Sequence, residues 1–329
     1  MSTVLRRFLG LLLLMVLVGA GYELLRGGKY GLTIFVLFPV LLGALTTWVF
    51  GAETGSRAAG LGAVSVTAAL FAFLFVGWEG LICIGMALPL AVPLGVLGGL
   101  LMYHLGSSRL ERPSVAMLLL LPLASITWDT KAQPDVFEVR SSVEIAAGPE
   151  QVWKHMVAFS DLPEPREWLF RTGLAYPIRA RIEGSGRGAT RYCEFSTGNF
   201  VEPIEVWDEP RLLRFRVVES PAPMREWGLY GEVVPKHLHG YLISKQGQFK
   251  LTRLANNRTL LEGTTRYQHG LWPAAYWRWW SDAIIHRIHL RVLAHIQMLA
   301  ETSLLLPERG HGIDPGGAAS RNTASKPGN

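Results

Sequence analysis

The sequence predicts an α-helical membrane region followed by an α+β domain, in which a curved antiparallel sheet wraps on one long C-terminal helix. The first observation behind this is the distribution of charge: residues 1–128 contain seven Lys/Arg and four Asp/Glu, whereas residues 129–329 contain 25 and 22. The second is the order of hydrophobic patterns after residue 129: a strand, a helix, a series of strands and a long final helix. Apolar segments without charge are typical of membrane spans, and this order of elements is typical of α+β domains.

Charged residues divide the first part into apolar runs, which we predict to be about five transmembrane helices. The runs are residues 8–22, 30–52, 58–78, 80–108 and 113–128. A spanning helix needs about 17–25 apolar residues, so the middle three are long enough, and the first and last are short. Interfacial Tyr, Trp and Arg side chains can extend a short span. Because no run contains Asp, Glu, Lys or Arg, we interpret this region as an anchor or packing platform rather than a transporter.

The first run also has features of a signal peptide. Arg6 and Arg7 precede a leucine-rich core, and Val18-Gly19-Ala20 resembles a small-residue cleavage site. An uncleaved signal anchor fits the multispan context better. Either alternative leaves the later helices and the domain on the same sides of the membrane.

The Lys/Arg distribution predicts an N-terminus inside an inner or plasma membrane, because short inner loops carry an excess of these residues. In that orientation the inner side carries Arg6, Arg7, Arg57, Arg109 and Arg112, and the outer side carries Arg26 and Lys29. Five spans then place the soluble domain on the outer, periplasmic side. If residues 113–128 do not span, the domain is cytoplasmic instead.

We predict four segments: a membrane region over 1–128, a linker over 129–137, the domain over 138–303 and a disordered tail over 304–329. Within the domain, residues 137–145 alternate like a strand and residues 151–159 have a helical pattern. Six further strands are predicted at 179–184, 189–196, 199–207, 212–218, 248–254 and 259–269. Pro273 can occupy the first turn of the last helix, and one apolar stripe follows at helical spacing: Ser281, Ile285, Ile288, Val292, Ile296 and Leu299.

Four segments of this domain are similar to a known family. Residues 145–153, Ile-Ala-Ala-Gly-Pro-Glu-Gln-Val-Trp, are similar to the family pattern I-x-A-P-x-x-V-W. Residues 188–195, 202–209 and 261–267 are similar to its middle and last strands. Residues 138–301 therefore resemble the START-like SRPBCC superfamily, in its polyketide cyclase/dehydrase and lipid transport branch.

The resemblance implies a helix-grip fold with a mostly apolar cavity under the curved sheet. It brings no universal catalytic residue, because the family includes binders, carriers and enzymes. The segment Ser220–Lys245 departs from the family pattern, since it is longer than a simple strand connection. We expect a lid or an extra hairpin at the cavity mouth there.

The predicted cavity lining is Trp153, Cys193, Trp207, Tyr267, Ile285 and His289. Asp282, His286 and His289 lie at i, i+4 and i+7 on one flank of the last helix, so they are acid/base candidates. The more common interpretation of such a group is an Asp–His pair or a solvated edge, and we assign no catalytic residue. His237 and His239 alternate in the long insertion, but a metal site there needs a tertiary meeting with Asp282 or His286. We therefore predict no metal site and no cofactor.

Aromatic side chains crowd the start of the last helix. They are Trp272, Tyr276, Trp277, Trp279 and Trp280. Core and rim packing is one interpretation, and a membrane-interface belt is the other, because Trp and Tyr favour the headgroup level. The two can coexist.

These features predict a membrane-anchored binding or carrier protein for a lipid or another hydrophobic small molecule. One alternative is a cyclase/dehydrase-type enzyme acting in the same cavity with His289 or Asp282 as acid/base; the non-enzymatic function is favoured. The other is a structural or partner-binding membrane protein without a ligand. The expected partners are the membrane and the hydrophobic molecule. No Lys/Arg block suggests nucleic acid binding, and the sequence leaves the oligomeric state open.

Overall fold

The protein is described by a computed structural model that covers residues 3–107, 125, 129 and 134–305. Among these residues, the N-terminal bundle has four helices: α1 Thr3–Arg26, α2 Phe38–Phe50, α3 Gly55–Val76 and α4 Leu81–Ser107. A π-helical segment, Thr33–Leu37, leads into α2.

Four helices among the described residues are long and apolar enough to cross a membrane. They are Val4–Arg26, Thr33–Phe50, Gly55–Val76 and Leu81–Leu105. They coincide with the first four predicted spans, and a membrane location is therefore possible. The fifth predicted span, over 113–128, lies outside the described residues except for Ser125.

Glycines allow α2, α3 and α4 to pack with their backbones in contact. A Cβ atom added to Gly43 of α2 or to Gly62 of α3 would lie 2.1 Å from the carbonyl oxygen of Gly95 in α4. Any larger residue at these positions would push the helices apart. Small residues have this role in membrane bundles, where helix association depends on close van der Waals packing.

The C-terminal part contains one curled sheet of seven antiparallel strands. The sheet strands are β1 Val136–Ile145, β2 Pro177–Glu183, β3 Thr190–Phe195, β4 Gly198–Asp208, β5 Leu212–Arg216, β8 Leu242–Arg253 and β9 Thr259–His269. Their order is β1-β9-β8-β5-β4-β3-β2. Three helices accompany them: α5 Pro149–Val157, α6 Trp168–Arg171 and α7 Ala274–Leu305. The predicted helix-grip fold class is confirmed.

One strand starts earlier than the sequence predicts. β8 begins at Leu242, not at residue 248, and pairs with β9 as far as His269. The early start is hard to predict, because buried and exposed residues do not alternate clearly along the first half of β8. The longer hairpin carries the sheet to the end of the domain that meets the bundle.

The apolar stripe of α7 has two parts. Val292 and Ile296 are buried in the core with Leu213 and Leu261 of the sheet and Met156 of α5. The N-terminal part of the stripe lies over open space rather than over packed side chains, which places a cavity between the sheet and the first half of α7.

The long insertion forms an extra hairpin, β6 Glu226–Gly228 and β7 Gly231–Val233, followed by a short 3-10 helix, Lys236–Leu238. Glu226 is fully buried, and its carboxylate accepts hydrogen bonds from the amides of Ile82 (3.1 Å) and Cys83 (2.8 Å). These amides belong to the first turn of α4, whose partial positive charge favours a carboxylate. The hairpin thus attaches the domain to one end of the bundle.

Candidate functional site

The cavity between the sheet and α7 has a volume of about 200 Å³ and a mostly apolar wall. Of the residues predicted to line it, Cys193, Ile285 and His289 do so. The α7 residues of the wall run from Trp277 to Leu293, a length of about 24 Å at 1.5 Å per residue. The cavity is therefore elongated along the helix, with one deep end inside the sheet and one end at the bundle.

Trp153, Trp207 and Tyr267 do not belong to this wall. Trp153 is a buried residue of α5 and meets Trp207 edge-on, with their ring centroids 5.6 Å apart. Tyr267 is fully buried, and its hydroxyl donates a hydrogen bond of 2.5 Å to Asp282. Strand periodicity predicts which face of the sheet a side chain takes, but not whether another element already fills the space above it.

The flank of α7 that carries the acid/base candidates is divided by the fold. Asp282 and His286 do not line the cavity. Asp282 accepts hydrogen bonds from the hydroxyl of Tyr267 and, at 3.1 Å, from Arg278 Nε. His286 Nδ1 lies 2.7 Å from the hydroxyl of Ser141. Both residues thus contribute to the packing of α7 on the sheet edge.

His289 does reach the cavity wall, but both of its ring nitrogens are engaged. Nε2 lies 2.7 Å from the hydroxyl of Thr265, and Nδ1 lies 3.1 Å from that of Ser141. Burial, with a smaller contribution from His286, lowers the pKa of His289 to about 4. A neutral imidazole held between two hydroxyls is poorly matched to proton transfer near neutral pH, where an effective base has a pKa close to 7.

The deep end of the cavity contains a buried ion pair that the sequence reasoning missed. Arg191 is 2% exposed, and its guanidinium pairs with the carboxylate of Glu202 while Nε donates to the carbonyl of Val157 at 3.2 Å. Three rings surround the guanidinium at 5.3–5.6 Å: Phe159, Phe215 and Phe249. Burial raises the pKa of the Glu202 carboxyl, and the adjacent Arg191 opposes that shift.

A signal for this pair was present in the sequence. A tight turn at Thr197-Gly198 between two predicted strands sets an antiparallel register, and that register pairs Arg191 with Glu202. Cys193, two residues further along β3, also faces this end. Burial raises the pKa of its thiol to about 12, which leaves it protonated and unsuited to nucleophilic chemistry.

The other end of the cavity opens toward the bundle. A second apolar cavity of about 100 Å³ lies between α1, α2, α3 and α4. The two cavities share five wall residues: Met86, Met224, His237, Leu271 and Trp277. The shared residues place the two apolar cavities side by side across the junction of sheet and bundle.

The aromatic residues at the start of α7 separate into two groups at this junction. Trp277 is buried and lies against Phe35 of the bundle, with ring centroids 4.7 Å apart. The hydroxyl of Tyr276 donates to the carbonyl of Met86, and the amide of Trp272 lies 3.4 Å from the carbonyl of Tyr30. Trp279 is 63% exposed and Trp280 is half-buried. Trp272, Tyr276 and Trp277 therefore dock the domain on the bundle, whereas Trp279 faces outward.

A polar cluster is buried at the same junction. The hydroxyl of Tyr30 donates to Glu79 at 2.8 Å, and the other oxygen of that carboxyl lies 3.6 Å from His237 Nδ1. The Sγ atom of Cys83 lies 2.7 Å from His237 Nε2. Burial raises the pKa of Glu79 to about 8 and lowers that of His237 to about 4, because it disfavours the charged form of both side chains. Sequence reasoning missed this cluster because its members come from distant segments.

Comparison with known families identifies the C-terminal domain. Residues 136–268 match the family model described as polyketide cyclase / dehydrase and lipid transport. The C-terminal half of the chain is a START-like SRPBCC domain. The match covers β1 to β9 and none of the bundle, and it confirms the resemblance recognised in the sequence. A comparison with curated protein sequences gives no match.

The solved structures similar to this SRPBCC domain include enzymes and proteins whose structures were determined by structural genomics. A point mutant of norcoclaurine synthase from Thalictrum flavum, in complex with a transition state analogue, has a TM-score of 0.35 and 11% identity over 53% of this chain and 99% of that chain. The Zhui aromatase/cyclase from a Streptomyces species has a TM-score of 0.34 and 15% identity over 52% and 96% of the two chains. A protein from Nitrosospira multiformis has a TM-score of 0.34 and 15% identity over 52% and 100%.

Proposed function

We propose that the chain is a membrane-anchored binding or carrier protein that takes up a lipid or another hydrophobic small molecule in its START-like cavity. The observation that carries this proposal is a pair of mostly apolar cavities, one in the domain and one in the bundle, which share five wall residues at the junction. Ligand pockets are concave and mostly apolar, with a few polar groups that fix orientation, and these cavities have that composition.

The junction supports uptake from the membrane itself. The second cavity is lined by residues of the four apolar helices, and Met86 and Trp277 belong to its wall as well as to that of the domain cavity. We infer that a hydrophobic molecule entering between the helices passes these shared wall residues into the domain, so that its apolar surface is not exposed to water. Transfer through water would cost a free energy of about 25 cal/mol for each Å² of apolar surface exposed.

The deep end supports a ligand with one polar group. Arg191 and Glu202 are both in the cavity wall, where the other side chains at that end are largely apolar or aromatic. An arginine carries five N–H donors, more than its bonds to Glu202 and Val157 use. A carbonyl or hydroxyl group of the ligand fits this end, with its apolar remainder directed toward the bundle.

We further propose an N-terminus inside and the domain on the outer, periplasmic side, with the segment boundaries predicted above. α1 begins at the end of the bundle away from the domain, where Arg6 lies beside Gly51. The domain contacts the opposite end, where α2 and α4 begin. Asp129 is also at that end, because it accepts from the amides of Leu32 and Thr33 at 2.8 and 3.1 Å. A Ser185→Cys variant would test this orientation through its labelling by a membrane-impermeant maleimide in intact cells, and protection from the label would contradict it.

A cyclase/dehydrase-type reaction is the weaker alternative, because, of the predicted acid/base candidates Asp282, His286 and His289, only His289 reaches the wall and both of its nitrogens are engaged. A structural protein with a filled core is disfavoured by the cavity itself.

Mass spectrometry of the full-length protein, purified in mild detergent, tests the proposal. We expect a hydrophobic molecule to co-purify with the protein. The Ile285→Trp variant, whose larger side chain fills the cavity, should lower the amount of bound molecule at least tenfold. The matched control is Ala283→Trp, because Ala283 is exposed on the same helix. The absence of an enriched molecule, or equal loading of both variants at equal thermal stability, would refute ligand binding in this cavity.

A further inference from the structure

The buried cluster of Glu79, Cys83 and His237 has the composition of a metal site. One potential ligand atom from each residue lies within 4.8 Å of the other two. Glu79 lies in the loop before α4, Cys83 lies in the first turn of α4, and His237 lies in the insertion of the domain. A residue pair 154 positions apart in the chain, Cys83 and His237, is thus in direct contact.

His237 supplies a second observation that points to a ligand. Its side chain is 10% exposed, and Nδ1 faces the Glu79 carboxyl at 3.6 Å. Among the residues that the structure describes, none makes a hydrogen bond to this nitrogen. A buried polar atom without a partner costs about 1–3 kcal/mol, so such atoms are rare unless a ligand, ion or water satisfies them.

We propose that Glu79, Cys83 and His237 bind one divalent transition metal ion, with zinc as the best match, at the junction of the bundle and the domain. A thiolate and an imidazole favour zinc and neighbouring transition metals over magnesium or calcium, which take oxygen ligands. Three protein ligands with one further position are typical of zinc sites that bind water or a substrate.

The geometry fits Nδ1 of His237 as the donor and needs one adjustment, at Cys83. Metal bonds of about 2.0 Å to Nδ1 and to a Glu79 oxygen separate these two atoms by about 3.3 Å in a tetrahedral site, close to the observed 3.6 Å. The Sγ atom of Cys83 lies 2.7 Å from the opposite ring nitrogen, Nε2, so the thiol must move toward Nδ1 to bind the same ion. Tyr30 already holds Glu79 through a 2.8 Å hydrogen bond, and hydrogen bonds of this kind orient ligating carboxylates in metal sites.

The fourth position of such a metal faces an apolar interior. All three residues line the cavity within the bundle, and His237 also lines the domain cavity. A metal here would connect α4 to the insertion and present a Lewis acid to a polar group of a molecule that passes the junction. This site is independent of the proposed ligand, because its three donors are all protein side chains.

Cobalt substitution of the full-length protein in detergent tests the site without any assay of ligand binding. We expect one Co²⁺ per chain, displaced by Zn²⁺, with the intense near-ultraviolet absorption that a thiolate–cobalt bond produces. Cys83→Ala and His237→Asn should each lower the affinity at least tenfold, and Cys83→Ala should remove the absorption band. Zn²⁺ should raise the melting temperature of the wild type but not of these variants.

The chain offers a matched control for each variant. Cys193 is the only other cysteine, and His239, two residues after His237, is exposed. Cys193→Ala and His239→Asn should keep the band and the wild-type affinity. If Cys83→Ala does not fold, the band in Cys193→Ala still assigns the bond to Cys83, the one thiol left. The absence of a thiolate band in the wild type, or its loss in Cys193→Ala, would overturn the proposal.

Discussion

The two ends of the cavity both bury titratable groups, but they do so in different ways. At the deep end, Arg191 and Glu202 lie opposite each other in adjacent strands and neutralise each other's charge. At the junction, Glu79, Cys83 and His237 come from the bundle and from the insertion, and one nitrogen of His237 has no hydrogen-bond partner among the described residues. The charges at the deep end are therefore neutralised within one hairpin, whereas the junction cluster forms only when two regions dock and leaves one ring nitrogen without a partner.

The largest effect is expected at the deep end. Arg191→Met should lower the free energy of unfolding by about 3–5 kcal/mol, because it leaves the Glu202 carboxyl buried without its partner. Thermal unfolding of the full-length protein in detergent measures this as a lower melting temperature.

The double variant Arg191→Met/Glu202→Leu is the control for that interpretation. It removes both charges, so its loss of stability should be smaller than that of Arg191→Met alone. Equal losses for the single and double variants would mean that packing around Arg191, and not the ion pair, stabilises the deep end.

At the junction end, Trp277→Ala should lower the free energy of unfolding by about 3 kcal/mol, since it removes a buried ring that packs on Phe35 of the bundle. Trp279→Ala, two residues along the same helix but 63% exposed, should change it by less than about 0.5 kcal/mol. The same melting experiment compares the two variants. Similar losses for both would contradict the docking of α7 on the bundle through Trp277.

A smaller, pH-dependent effect is expected between the two ends, at His289. The pKa of this residue is about 4 in the folded state, below its ordinary value, so the unfolded state binds more protons between pH 4 and pH 6.5. The stability that neutral His289 contributes is present above pH 6.5 and is lost as the pH falls toward 4. We expect a loss of about 2 kcal/mol from pH 7 to pH 5.

His289→Gln is the test of that assignment, because glutamine retains hydrogen bonding to Thr265 or Ser141 without titrating. The variant should flatten the dependence of melting temperature on pH over this range relative to the wild type. His239→Gln is the control, since His239 is an exposed histidine of the insertion. An unchanged slope in His289→Gln would locate the proton uptake in another residue.

Much of the architecture followed from local patterns. Four apolar runs coincide with helices long enough to span a membrane, and the resemblance of the C-terminal half to START-like SRPBCC domains is confirmed. Side-chain positions were harder to predict. Of the predicted cavity residues, Cys193, Ile285 and His289 are in the wall, while Trp153 and its neighbours fill the core. The predicted sidedness of the membrane, the segment boundaries and the roles of these residues stay predictions.

The sequence by itself determined the elements of this protein, because charge, apolar length and helical or strand periodicity act over short stretches of chain. It placed the stripe of α7 under the sheet and predicted the hairpin partners, since a short turn sets the register of the strands around it. Only the tertiary structure decided what α7 leaves uncovered and what its first turns contact. The two adjoining apolar cavities and the meeting of Cys83 with His237 depend on how the insertion docks on the bundle, and no local pattern in the chain encodes that contact.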